Sequence, residues 1–176
     1  MRYSSIVVSL LVVFLLPFPA IAGDPLTPRP LDAVAADTFQ RAMHGSALVR
    51  SLVAAIESSN VIVHIVSTLP LPAGVGGTMT YVTSRGGYRY ARIAIRPELS
   101  APMRTAILGH ELQHARELAD SDADNPAAVE ELFEQRGRRT GRFYETRAAV
   151  DAEMHVRTEL RASRALQAEP VIKFHH

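Results

Sequence analysis

The residues best suited to chemistry stand together at His110-Glu111-Leu112-Gln113-His114. Two histidines four positions apart lie one turn apart on a helix, so both imidazoles can converge on one divalent metal ion. Zinc suits such a pair, because imidazole nitrogen is among its preferred donors. The glutamate beside the first histidine stands close to the metal without binding it. From there it can take a proton from an attacking water, so the spacing HExxH points to metal-assisted hydrolysis with a carboxylate base. The two variable positions, Leu112 and Gln113, carry no charge.

A helix must present this pattern. Ser100 is a suitable N-cap and Pro102 fits a first turn, so the helix is predicted from about residue 100 to 119. Met103, Ile107, His110, His114 and Leu118 fall on one stripe of it, at the spacing of a core-facing surface. Upstream, Val61-Ile62-Val63-His64-Ile65-Val66 reads as a buried strand and Thr78-Met79-Thr80-Tyr81-Val82-Thr83 as a second. Ser84-Arg85-Gly86-Gly87 has hairpin chemistry. The third strand, residues 88–95, alternates Tyr88, Tyr90 and Arg92 against Arg89, Ala91, Ile93 and Ile95. Residues 31–58 follow a helical pattern with a weak point at Gly45, after an extended Pro-rich leader over 23–30. Downstream, a polar break over 120–126 precedes a helix over 127–136, a basic loop over 137–141 and a last helix over 143–167. The fold class is α+β, with a small sheet containing an antiparallel hairpin packed on helices. One domain is expected over 31–168, followed by a disordered tail over 169–176.

The segment Ala106-Ile107-Leu108-Gly109-His110-Glu111-Leu112-Gln113-His114-Ala115 resembles the active-site helix of zincin metallopeptidases. A hairpin followed by this helix is the zincin order of elements. The short chain and its later Glu-bearing helix resemble the minimal gluzincins over residues 61–160. The resemblance implies a zinc-dependent peptidase in which an edge strand near the site receives the substrate as an added strand. It departs from the pattern at Arg116, where zincin helices usually carry an apolar residue. It departs again at Ala149, where gluzincins often carry an aspartate that orients the first histidine.

Catalytic zinc takes three protein ligands and a water. The resemblance supplies the third as a glutamate on a later helix, and Glu145 fits best: on a helix, Ala148, Ala149 and Ala152 would share its face and allow close approach. Glu153 is an alternative on the same helix, and its stripe is less uniformly small. Asp120 is the rival of another class. It stands six residues after His114, as in HExxHxxGxxH/D proteins, but Glu117 occupies the place of the glycine that turns the chain back. The expected set is therefore His110, His114 and Glu145 as zinc ligands, with Glu111 as base.

The remaining chain sets bounds. Its 176 residues carry a net charge of +1, which argues against nucleic-acid binding through bulk electrostatics. Arg2, the apolar run from Ile6 to Leu16 and the small-x-small triplet Ala20-Ile21-Ala22 read as a signal peptide over residues 1–22. Export to a periplasm or beyond the cell follows, with no stable membrane anchor after cleavage. There is no cysteine, so thiolate zinc ligands and disulfides are excluded. His44, His64, His155 and the tyrosines 81, 88, 90 and 144 read as structural or surface residues. Arg136, Arg138, Arg139 and Arg142 form a solvated basic run that an acidic partner could meet. The substrate class is peptide or protein, and a chain this small leaves room for a partner protein at the cleft. Two other readings stay open: a zinc-bound envelope module that hydrolyses nothing, and a metal-free exported domain.

Overall fold

The computed structural model describes residues 28–141 and 143–168. The signal-peptide reading of residues 1–22 and the tail over 169–176 lie outside them. Eleven elements follow in order: β1 (Arg29–Pro30), α1 (Ala33–Gly45), α2 (Ala47–Glu57), β2 (Val61–Ser67), β3 (Gly77–Arg85), β4 (Tyr88–Ile95), α3 (Ala101–Ala119), α4 (Pro126–Arg136), β5 (Gly137–Thr140), β6 (Phe143–Thr146) and α5 (Arg147–Ala168). The fold is α+β: five helices, a mixed four-stranded sheet in the order β1-β2-β4-β3, and a separate hairpin of β5 and β6.

The sheet grows from its β-branched runs. Val61, Val63 and Ile65 of β2 and Ala91, Ile93 and Ile95 of β4 are almost wholly buried, all facing the helices. Parallel pairing sets Val63 beside Ala91 and Ile65 beside Ile93. Gly86 and Gly87, at φ +61° and +81°, make the tight turn between β3 and β4 that an L side chain would strain. β3 is left as the outer strand, with Met79 opposite Ile93 and Tyr81 opposite Ala91.

The break expected near Gly45 is present. Ser46 takes an extended conformation (φ −137°), ending α1 and capping α2, whose Val49 amide donates to its hydroxyl at 3.0 Å. Glu159 of α5 accepts from the Ser46 hydroxyl and from the Ala47 amide, tying the last helix to this junction. The core lies between α1, α2, α3 and the inner face of the sheet, with Leu52, Ile56, Leu108, Leu112 and Val156 inside it.

Two expectations are corrected by the chain after Arg136. The basic loop over 137–141 is strand β5, and the last helix begins at Arg147 rather than Phe143, because residues 143–146 pair with 137–140 as β6. Gly141, at φ +63°, supplies the turn. The aromatic and β-branched side chains of Phe143, Tyr144 and Thr146 favour the strand. Thr146 ends it and starts the helix, its hydroxyl accepting from the Ala149 amide at 3.1 Å.

The stripe expected to face the core is corrected in its first three members, while His114 and Leu118 are buried as expected. Met103, Ile107 and His110 are only partly buried and form the wall of a cleft, while the fully buried positions of α3 include Ala106, Leu108, Leu112 and Ala115. Where α3 meets α5, Gly109 permits contact so close that a Cβ there would lie 2.6 Å from Val156 Cγ2.

Candidate metal centre

α3 runs beneath the edge strand β3. The Arg96 amide donates to the Gly76 carbonyl at 2.9 Å, which sets the phase of the β3–β4 ladder. Residues 78 and 80 then bond to β4, while the backbone groups of Gly77, Met79 and Tyr81 point away from it, toward the cleft. Gly76 and Gly77 let the strand come down onto the helix, since a Cβ on either would strike Ile107. The cleft has a volume of roughly 970 Å³ and reaches from Leu99 and Met103 at one end to Val129 and Phe133 of α4 at the other.

His110 and His114 stack edge to face in its floor, with ring centroids 5.0 Å apart. Phe133 meets the far side of the His114 ring at 5.4 Å. Glu145 reaches them from β6, with Oε1 3.0 Å from His110 Nε2. Each of the three offers one donor atom, and these atoms all lie within 4.8 Å of one another. The carboxylate therefore comes from a strand, and the shared helical face with Ala148, Ala149 and Ala152 does not exist. Ala149 and Ala152 instead pack in the interior where α5 meets α3.

Two neutral imidazoles and one carboxylate form a donor set that zinc accepts readily. Glu117 accepts at 3.1 Å from His114 Nδ1, and an ionised carboxylate can only accept, so the Nε2 lone pair is left for a metal. Burial pushes the Glu117 carboxyl up, but hydrogen bonds from His114 and Thr146 outweigh it and hold the group below the usual range. Nδ1 of His110 lies 3.4 Å from Glu153 Oε2, close enough for an ion pair but without hydrogen-bond alignment. Burial disfavours charge on His110, yet Glu153, Glu111 and Glu145 together raise its pKa. Glu153 is itself held down to about 2, by His110 against burial and with help from Arg157.

Glu111 lines the same cleft as the histidines, lies against Gly77 of the edge strand, and is 5% exposed. Burial raises its pKa, opposed by the two histidines and by a hydrogen bond with the Met79 backbone. A buried carboxyl group whose pKa is raised, beside a metal site, suits proton transfer.

The other candidates fall outside the centre. Asp120 caps the end of α3 and pairs with Arg116 at 2.7 Å. Glu153 lines the cleft behind His110 rather than joining the donor set. The Tyr144 hydroxyl bonds Glu134 at 2.9 Å, and its pKa is pushed up to about 12 by burial and by that carboxylate. The Tyr81 hydroxyl is taken by the Asp124 carbonyl. His44 and His155 are exposed. Glu117, Thr146 and Phe133 belong to the centre and were not foreseen, although Glu117 at i+3 from His114 carried the spacing signal.

Comparison with known protein families, curated proteins and solved structures finds no match to the chain.

Proposed function

We propose that the chain is an exported zinc-dependent peptidase of the minimal zincin type. The observation that carries this is the convergence of His110, His114 and Glu145, with buried Glu111 beside them, under an open edge strand. An antiparallel hairpin followed by the HExxH helix is the order this resemblance implies; the later glutamate departs from it by standing on strand β6 rather than on a helix. The N-terminal sequence supports export, and no helix among the described residues is long and apolar enough to cross a membrane.

A zinc ion held by the three ligands supplies a Lewis acid that polarises the scissile carbonyl and acidifies water. The backbone groups of Gly77 and Tyr81 and the carbonyl of Met79 bind an extended peptide along β3. Glu111 takes a proton from the attacking water and passes it to the leaving amine.

The test is a peptide-library digest by wild type and Glu111→Gln, with zinc content measured on both. Wild type is expected to cleave, and the variant to keep zinc and lose about 10²–10⁴-fold in rate. Zinc in wild type without cleavage of any peptide would leave the non-hydrolytic module as the better reading.

A further inference from the structure

The metal ligands come from two separate elements, helix α3 and the hairpin strand β6. One buried carboxylate touches the supports of both. Glu117 is 6% exposed, too buried to be a solvated surface acid. Its Oε2 takes the hydrogen bond from His114 Nδ1 at 3.1 Å, and its Oε1 takes one from the Thr146 hydroxyl at 2.8 Å. Thr146 is the residue after Glu145 and is 2% exposed. Its hydroxyl also accepts from the Ala149 amide, so the same oxygen fixes the start of α5.

We infer that Glu117 is a positioning residue for the whole metal centre, setting the His114 ring and the β6 strand that presents Glu145 with the two oxygens of one carboxylate. This rests on the metal-site reading above and adds a coupling that the ligand set alone does not contain. The His114 arm fixes tautomer and ring angle, as the outer partners of metal-binding imidazoles do. The Thr146 arm is the unusual one, since it acts on a ligand one residue away that Glu117 does not touch. Glu145 is half exposed on a four-residue strand, so little else in its own element holds it in place. Without the carboxylate, the ring could turn and the strand could slide independently.

The test is zinc affinity by competition with a chelator, together with the melting temperature of metal-free protein. Variants are Glu117→Gln, Thr146→Val, Thr146→Ser and the double Glu117→Gln/Thr146→Val. Glu117→Gln and Thr146→Val should each weaken zinc binding about 10–100-fold, the range for outer partners of ligands. Thr146→Ser, which keeps the hydroxyl, should bind as wild type. The double variant should lose less than the product of the two single losses, because both break one linkage. A residue that merely supported the fold would lower the metal-free melting temperature and leave zinc affinity unchanged. Unchanged affinity in Glu117→Gln and Thr146→Val overturns the inference, as do losses that multiply in the double variant. Wild type without zinc overturns the metal site and the inference together. Zinc binding without peptide cleavage removes only the peptidase reading.

Discussion

Gly77 lies against Glu111 so closely that a Cβ there would stand 3.0 Å from Oε1 and 2.5 Å from Ile107 Cγ2. The edge strand and the proposed base are thus in contact through the one residue type that fits. Gly77→Ala must lift the strand or turn the carboxylate. Peptide cleavage is expected to fall about 10²-fold, the scale for misplacing a reacting group by about 1 Å. Zinc content should stay at the wild-type value. Steady-state kinetics with elemental analysis checks both halves.

Glu145 and Asp120 offer a clean contrast. Glu145→Ala removes an oxygen donor from the centre, and bound zinc should be lost on dialysis. Asp120→Ala removes only the partner of Arg116, and zinc should be retained. Metal content of untagged protein decides the pair. Retention in Glu145→Ala with loss in Asp120→Ala would reassign the third ligand.

Arg89 is buried on β4 and has carbonyl partners in place of an acid. Its guanidinium donates to Leu118 at 2.8 Å and Ser121 at 2.6 Å, closing the end of α3, and to the Asn60 side chain at 2.7 Å. Arg89→Met takes away the shared donor; Leu118 keeps the Ser121 amide and hydroxyl, while the Ser121 carbonyl loses its guanidinium partner. A loss of about 1–3 kcal/mol in urea unfolding is expected, the cost of stranding one buried polar group. A change under about 0.5 kcal/mol, the range of ordinary surface substitutions, would mean that water replaces the guanidinium.

Asp32 caps α1 through the Ala35 amide at 2.9 Å and also accepts from the Ser67 amide at 2.6 Å and hydroxyl at 2.7 Å. Burial pushes its carboxyl up, but these donors outweigh it, and the folded pKa lies below the ordinary 3.8. The native carboxylate therefore binds its proton less readily than the unfolded one. Its contribution is complete above pH 3.8 and disappears as pH falls through the folded value. Asp32→Asn should be less stable than wild type at neutral pH, with the gap closing as pH falls below 3.8. Denaturant midpoints at neutral pH and below pH 3.8 measure it.

Much of this architecture is legible in the sequence because its signals are local. The i, i+4 histidines, Pro102 and the apolar spacing define α3. The β-branched run from Val61 and the alternation from Tyr88 define β2 and β4, and Gly86-Gly87 defines the hairpin of β3 and β4. Glu145 stands within reach of the histidines, yet on a strand where the local pattern reads as helix. Phe143-Tyr144-Glu145-Thr146 is short and runs into a strong helix former, so a longer helix wins on local pattern. What makes it a strand is pairing with Gly137-Arg138-Arg139-Thr140, a partner with no apolar alternation to reveal it. Two-residue β1 is hidden for the same reason, its parallel pairing with His64 and Ile65 being non-local. The facing of α3 is misjudged because a cleft wall and a core face share the same apolar period.

The placement of Glu145 on its own hairpin also bears on how the unfolded chain is constrained. With no cysteine, the protein has no disulfide to shorten its denatured ensemble. An ion gripped by both His114 and Glu145 closes a loop of 145 − 114 = 31 residues. If that grip survives unfolding, the closure removes conformational freedom on the order of a disulfide of that span, about 3–4 kcal/mol. If it does not, the whole binding energy favours the folded form. In either case a metal bound there would act as the molecule's cross-link, and chelation should act on it as reduction acts on a disulfide-bonded protein.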